Sequence, residues 1–313
     1  MKIAKTTLFF SAVLLLLGCG DDYNDYNPRK KGQPTTVTTD PRQLKGPAEA
    51  QSNIEFPALS QASSSEVIIH YAVLNSKTNE QGINYSLEWD HSKKATRWVF
   101  YKMYSATNAS NWSRNNWSNG DPWSYDPDVP QNEQQETYNE LSKTNPPLAN
   151  STYYEKGHIL ASADRLGSQE ANGQTYYMTN IYPMVHNFNV GAWATLEGRV
   201  RTWGKQSDTL YVCKGGTIDS NDKILGYTKG NHIVPKYFYM ALLSKKGSTL
   251  KAIGFLLEHT DPTDWGPISG YARNIQQLER ETGIDFFCNL PDDTENEIET
   301  VETSQMLNDW SLQ

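Results

Sequence analysis

The chain has 313 residues, enough for one or two domains, and 12% of them are aromatic, with 9 Trp and 18 Tyr available to build a core. A formal charge of −8 excludes a protein that clings to nucleic acid over its whole surface. Between Ser64 and Leu290 the balance is near neutral, 21 Lys and Arg against 23 Asp and Glu, so a polyanion would have to be held by a local basic site rather than by global charge.

Met1 to Cys19 reads as a targeting segment. Lys2 and Lys5 give a positive start, and Leu8 to Leu17 is an apolar run too short to span a bilayer as a stable helix. The run closes on Leu16-Leu17-Gly18-Cys19, which resembles the bacterial lipoprotein cleavage box. That resemblance makes residues 1–19 a lipoprotein signal peptide and Cys19 the lipidated residue. The mature chain is then membrane-anchored in the cell envelope, at the outer membrane or the cell surface; the alternative is an ordinary secretory signal. Asp21 and Asp22 resemble the acidic export tag of some surface lipoproteins. Residues 20–63 have few large apolar side chains and many Pro, Thr, Gln, Asn and Ser, and read as a flexible tether. One domain is expected over residues 64–313, with an acidic C-terminal tail.

Ser65 to Tyr71 starts the fold as a strand, with His70 in a structural role. Tyr85 to Trp89 and Trp98 to Met103 alternate as strands do, with a turn at His91 and the two Lys after it. Asn111 to Tyr125 is a loop rich in Trp and Asn.

The stretch from Tyr154 to Trp203 carries the chemistry. Ile159 and Leu160 follow His158, and Gly157 before it permits close backbone approach. Gln174 to Tyr182 is rich in aromatic and β-branched residues and predicts a second strand, stopped by Pro183. Trp193, Leu196, Val200 and Trp203 then recur at three- and four-residue spacing, one face of a helix. Glu197 and Arg201 are four apart on it and can share a side.

His158 is the residue of this stretch taken to change charge near neutral pH, which suits a general base acting on water. Asn189, at the helix start, offers an uncharged oxygen to a hard cation such as Mg²⁺. Glu197 lies eight residues further, roughly 12 Å along a regular helix, and would reach such an ion through water. Arg201 can hold a phosphate oxygen with its planar fork. The bland alternatives are a structural His158, a surface Glu197–Arg201 pair, Asn189 as a helix cap and Asn180 satisfying backbone in a turn.

Beyond this stretch, Thr209 to Lys214, His232 to Leu243 and Leu250 to Glu258 read as strands, with an edge or bulge at Pro235. His259 follows in a loop and is not expected to be catalytic. Ser269 to Thr282 has helical spacing at Tyr271, Ile275 and Leu278, and Asp292 to Glu302 reads as a solvated acidic surface. Cys213 and Cys288 are either paired outside the cytoplasm or two small buried residues. No Cys-x-x-Cys or His cluster suggests zinc.

Glu155-Lys156-Gly157-His158, Thr179-Asn180 with Pro183-Met184, and Asn189 through Glu197 (NVGAWATLE) fall in this order. The set resembles the DNA/RNA non-specific endonucleases of the ββα-metal, or His-Me finger, superfamily, whose signature runs Asp-Arg-Gly-His, Ser/Thr-Asn with Pro-Gln, and Asn-x-Gly-x-Trp-x-x-Leu-Glu. The resemblance implies His158 as base, Asn189 as sole direct ligand of Mg²⁺ (or Mn²⁺), Glu197 as a water-mediated metal contact, Arg201 at the phosphate and Asn180 orienting the site. Arg114 falls where the family has a phosphate-binding Arg before an Asp-Pro, although two such pairs follow, Asp121-Pro122 and Asp126-Pro127. Two departures stand out: Glu155-Lys156 in place of Asp-Arg, and Met184 in place of Gln.

The expectation is an α+β domain with a mixed, largely antiparallel sheet and a ββα-metal finger active site. It would hydrolyse phosphodiester bonds of DNA and RNA without strong sequence preference, leaving 5′-phosphate and 3′-hydroxyl ends. Two alternatives remain: a small-nucleotide phosphodiesterase on the same fold, and a surface-binding lipoprotein that lost the chemistry.

Overall fold

The computed structural model describes residues 56–134 and 154–312. The signal segment with Cys19, and most of the expected tether, lie outside the described residues.

Three long strands open the fold: β1 (Ser65–Asn75), β2 (Glu80–Asp90) and β3 (Ala95–Met103). Next come β4 (Glu155–His158), α1 (Gln169–Gln174), β5 (Ile181–Met184) and α2 (Ala194–Gln206). The second half supplies β6 (Thr209–Gly216), β7 (Ile224–Tyr227), β8 (Ile233–Pro235), β9 (Tyr237–Lys246) and β10 (Thr249–Glu258). The short β11 (Ala272–Arg273) precedes α3 (Ile275–Thr282), α4 (Asp292–Glu299) and α5 (Thr303–Asp309).

A seven-stranded sheet runs β1-β2-β3-β6-β9-β10-β11, and β4-β5 and β7-β8 form two small sheets. Every pair of neighbouring strands is antiparallel, in keeping with the largely antiparallel sheet expected from sequence, and the parallel pairing among the described residues is an isolated bridge between Ser124 and Tyr177. The central strands are covered on both faces, which the two-residue period makes visible. Val99, Tyr101 and Met103 of β3 enter one core with Leu196, Val200 and Trp203 of α2. Trp98 and Phe100 point the other way, into a core with Ile275 and Leu278 of α3.

Four of the expected element boundaries change. Gln174 to Tyr182 is not one strand. Ser168 Oγ accepts from Ala171 N (3.0 Å) and caps α1, a 3₁₀ turn covers Met178–Asn180, and apart from an isolated parallel bridge between Tyr177 and Ser124 it is Ile181–Met184 that pairs as a strand. Tyr176 and Tyr177 are fully buried by packing, which aromatic composition alone cannot tell from a ladder. Pro183 does not stop the strand but sits inside it, opposite Lys156. The predicted strand over His232 to Leu243 breaks at Lys236, because Pro235 has no N–H to continue a ladder. Helical spacing from Ser269 overreaches: Tyr271 lies in a 3₁₀ turn, and α3 begins only at its Asn274–Gln277 capping box.

The acidic tail is solvated along one face, where Asp292, Asp293, Glu297 and Glu302 are exposed, but it is not surface alone. It folds into α4 and α5, burying Ile298, Met306 and Trp310, the last at 2% exposure. A fully buried side chain of this size contributes about 1.5–3 kcal/mol or more. The end of the expected tether also joins the fold: Phe56 packs on Trp98 and Phe100, and Ser60 N donates to Glu88 Oε1 at 2.8 Å. Cys213 and Cys288 are both free thiols.

Candidate active site

β4, β5 and α2 form the strand-strand-helix unit that holds the candidate residues. His158 ends β4 opposite Ile181, and Gly157 faces Tyr182. A methyl at Gly157 would lie 2.2 Å from Met184 Sδ, so β4 and β5 close only over a glycine. Met184 is fully buried beneath this contact. Where the resemblance expects Gln, this chain packs a thioether.

Asn180 is completely buried and lies outside the cleft. Its Oδ1 accepts from Leu160 N (2.8 Å), and its Nδ2 donates to Leu160 O (2.9 Å) and Thr175 O (2.7 Å). It pins the chain two residues past His158, a positioning role. From the helix side, Trp193 Nε1 donates to His158 O at 3.0 Å.

Between β5 and α2 the chain makes one π-helical turn, Phe188–Trp193, broken at Gly191 (φ −93, ψ −107). A methyl there would meet Trp265 Nε1 at 2.7 Å. Asn189 is not a cap. Its Nδ2 donates to Glu155 Oε2 at 2.8 Å, while His186 Nδ1 engages Glu155 Oε1 at 2.6 Å. The longer Glu155, where the resemblance expects Asp, thus grips the donor end of the Asn189 amide and leaves its oxygen as the acceptor. Because the turn is wide and kinked, regular helical rise does not separate Asn189 from Glu197, and both line one cleft.

That cleft has a volume of about 730 Å³. His158, Asn189, Glu197, Arg201 and Arg114 line it together, with Asp121, Trp123, Glu155 and Lys156. The ambiguity over the two Asp-Pro pairs is resolved by space. Asp121 sits in the cleft, where Arg114 Nη2 donates to both its oxygens at 2.9 Å. Asp126 is buried elsewhere, against His70 and Thr179. Lys156 Nζ lies 4.8 Å from the Trp123 ring centroid, so its charge is shared with an aromatic face at the rim.

The His158 ring packs against Tyr176 (5.0 Å) and Trp123 (5.2 Å). Its Nε2 is buried and has no hydrogen-bond partner among the described residues. Burial, assisted by the Arg114 and Lys214 charges, lowers its pKa from 6.5 to about 3. The imidazole is therefore neutral throughout the neutral range, and the charge change near pH 7 expected from sequence does not occur in the free protein. Burial and the Asp164 charge act in the opposite sense on Glu197 and raise its carboxyl to about 7, against the pull of Lys214 and Arg201.

A buried ion cluster lies beneath the cleft, and the sequence reading missed it. Asp164 Oδ1 accepts from Arg201 Nη1 (3.0 Å), its Oδ2 accepts from Tyr101 Oη (2.7 Å), and Lys214 Nζ stands 3.7 Å from Oδ2. Asp164 and Lys214 have no side-chain exposure. Arg201 therefore pairs with Asp164 rather than with Glu197 four residues away. The available signal was Lys214 itself, a charge inside the otherwise apolar run of β6.

A hard divalent cation fits the cleft's donors. The Asn189 oxygen and the Glu155 and Glu197 carboxylates are all oxygen groups, and no thiol or second imidazole competes among the described lining residues. A second group with ligand spacing is His70, Asp126 and Asp128, within 4.8 Å of one another. There His70 Nε2 meets Asp126 Oδ2 at 2.9 Å, and Nδ1 lies 3.8 Å from Asp128 Oδ2. This group is walled in by Tyr85 and Tyr177 and does not line the cleft. His259 is also structural: its Nε2 accepts from Val185 N and its Nδ1 donates to Pro235 O.

The chain is 29% identical over 146 residues to nuclease C1 of Cunninghamella echinulata var. echinulata, covering 44% of this chain but only 58% of that protein. It is 28% identical over 227 residues to a nuclease of Nostoc sp., covering 69% of this chain and 75% of the relative. Among solved structures, an EndoG/EndoGI complex superposes with a TM-score of 0.55 at 22% identity, covering 66% of this chain and 84% of that one, a likeness of fold. The family described as DNA/RNA non-specific endonuclease, which is metal-dependent, matches residues 66–293. With that match spanning most of the chain, the protein belongs to the DNA/RNA non-specific endonuclease family.

Proposed function

We propose that the protein is an endonuclease that hydrolyses phosphodiester bonds of DNA and RNA without strong sequence preference, using Mg²⁺ or Mn²⁺ held at Asn189. One observation carries this reading. The orphaned Nε2 of His158 shares a cleft with the Asn189 amide, the Glu197 carboxyl and the Arg201 guanidinium, on one strand-strand-helix unit.

His158 accepts the proton of the attacking water at its free ring nitrogen; as a neutral imidazole it is ready to do so at pH 7. Arg201 and Arg114 face the non-bridging oxygens and offset the charge that builds there. Asn189 and Glu155 present fixed oxygen donors. When bound, the metal supplies Lewis-acid stabilisation of phosphate and leaving oxygen. Glu197 ionises more readily as positive charge enters the cleft, which suits a water-mediated metal contact. Asn180 keeps His158 in place by holding Leu160.

Acylation of Cys19 and anchoring of the chain to the cell envelope, with residues from 20 onward as the tether, belong to the same proposal. The supporting observation is the Leu-Leu-Gly-Cys box behind a short apolar run.

Incubating residues 20–313 with supercoiled plasmid and with RNA, in Mg²⁺ with and without chelator, tests the activity. Metal-dependent cleavage of both polymers is expected. Cleavage of a chromogenic phosphodiester with both polymers left intact would replace the endonuclease reading with a small-nucleotide phosphodiesterase. No cleavage of any substrate would leave a binding protein.

A further inference from the structure

Trp123 lines the cleft beside His158, yet the proposed chemistry gives it no part. A general base has to be aimed as well as deprotonated, and a carboxylate or carbonyl hydrogen-bonded to one ring nitrogen commonly does the aiming. Among the described residues no carboxylate takes that part for His158, whose Nε2 is buried and unpartnered. Asp121, the acid in the cleft whose charge reaches the ring, spends its oxygens elsewhere. They accept from Arg114 Nη2 at 2.9 Å and from Tyr176 Oη at 3.2 Å.

What touches the imidazole instead is aromatic. The Trp123 ring centroid lies 5.2 Å from it at an interplanar angle of 40°, and Tyr176 meets it edge to face at 5.0 Å and 87°. Trp123 and Tyr176 also touch each other, 5.0 Å apart at 74°, so the three rings close a triangle. The backbone builds this arrangement. Ser124 and Tyr177 form an isolated parallel bridge, with Met178 N donating to Ser124 O at 3.0 Å, and the residues just before them, Trp123 and Tyr176, come side by side. Trp123 N donates to Asp121 O at 2.9 Å, which tightens the turn at Pro122. Tyr176 is fixed through its hydroxyl, 3.1 Å from Ser162 Oγ as well as bonded to Asp121. Lys156 Nζ, 4.8 Å from the Trp123 centroid, helps to seat the indole.

We infer that Trp123 is a positioning residue of the proposed nuclease, which aims the His158 imidazole by aromatic packing where a hydrogen-bonded carboxylate would otherwise do so. The effect on rate rests on the nuclease reading; the contact between the rings does not. A carboxylate on the ring would favour its charged form, whereas a dry aromatic contact favours the neutral form that accepts a proton. Without the indole, one wall of the imidazole is gone and the ring is free to turn about its χ angles. A misplacement of about 1 Å at a reacting group can cost about 100-fold in rate.

The test compares Trp123→Leu and Trp123→Phe in residues 20–313, each with and without His158→Ala, by the kinetics of plasmid cleavage at saturating Mg²⁺. Trp123 belongs to neither of the two cores, so both variants should fold. Trp123→Leu should lower kcat about 10- to 100-fold with KM within about twofold of wild type, and Trp123→Phe should keep kcat within about threefold. In the His158→Ala background Trp123→Leu should cost less than about twofold more, because a residue that acts through His158 then has nothing to aim. A raised KM with kcat kept, or the same fold loss with and without His158, would make Trp123 a stacking surface for a nucleobase and overturn the inference. So would a Trp123→Phe variant as impaired as Trp123→Leu. Proton NMR of the imidazole, assigned by the signals that vanish in His158→Ala, reads the contact without turnover. Ring currents of the two neighbouring rings should displace the His158 ring protons from free-histidine positions, and Trp123→Leu should move them back. Unmoved signals would overturn the inference by themselves. Failure of wild type to cleave any substrate would remove the nuclease reading and with it the role of Trp123 in rate, whatever the rings do.

Discussion

Replacing His158 with Ala should change two measurements in opposite directions. Turnover should fall by about 10²–10⁴, the usual contribution of a positioned base. Stability should become less sensitive to acid, and this part can be worked from the structure. The folded protein holds His158 at about 3 instead of 6.5 because the ring is buried near Arg114 and Lys214. A depressed pKa for a base means that the unfolded chain takes up the proton first as pH falls. The stability associated with the neutral ring is therefore intact above about pH 6.5 and is lost progressively down to about pH 3. Each tenfold in proton affinity is worth about 1.4 kcal/mol, so between about pH 7.5 and pH 5 this one residue removes about 2 kcal/mol from wild type. His158→Ala should lack that loss, whatever its absolute stability after the packing on Tyr176 and Trp123 is gone. Urea unfolding of both proteins at the two pH values measures the difference, with plasmid nicking at saturating Mg²⁺ beside it. Parallel losses of stability from pH 7.5 to 5 would refute the buried neutral imidazole. Nicking within tenfold of wild type would remove His158 from the role of base.

Asn189→Ala should abolish most metal-dependent cleavage while lowering stability by only about 1–2 kcal/mol, because among the described residues its side chain makes one hydrogen bond, to Glu155; calorimetric Mg²⁺ titration and melting should separate the two effects, and intact metal binding would sink the ligand assignment. Asp164→Asn should destabilise by about 3–5 kcal/mol, since it leaves Lys214 charged and unbalanced in the core; a melting temperature within a degree of wild type would show that the cluster carries no net charge there. Cys19→Ala should release the protein from the detergent phase of fractionated cells; a wild-type chain that is wholly soluble and unlipidated would end the anchoring proposal.

The parts of the site that lie close together in sequence were legible before any coordinates. Gly157 preceding His158, the Asn189-to-Glu197 run and Arg201 one turn on sit within one continuous stretch, and all of His158, Asn189, Glu197 and Arg201 reach the same cleft. Long strands were equally legible, because β-branched and aromatic residues gather along β1, β2 and β3; burial alternates along β1, whereas most of β2 and nearly all of β3 are buried on both faces. Composition misled where packing replaced pairing. Gln174 to Tyr182 has a strand's residues but spends them on a capped helix, a 3₁₀ turn and two buried tyrosines. The acidic C-terminus looked solvated because its apolar residues are sparse, yet Ile298, Met306 and Trp310 are spaced to reach the sheet.

What only the tertiary structure decided is held by contacts between distant residues. Glu155 meets Asn189 across 34 residues, and Arg201 meets Asp164 across 37. Lys214 comes from β6 to Asp164 in a 3₁₀ turn after β4, and Asp121 rather than Asp126 turns out to face Arg114. Local periodicity records whether a residue is inside or outside. It does not record which buried charge will stand opposite which, because that depends on the register of strands and the angle of helices brought together by the whole fold. The sequence by itself therefore determined the kind of chemistry and the unit that bears it. The fold determined the protonation state of His158 and Glu197, and the ion cluster that holds Arg201 in place.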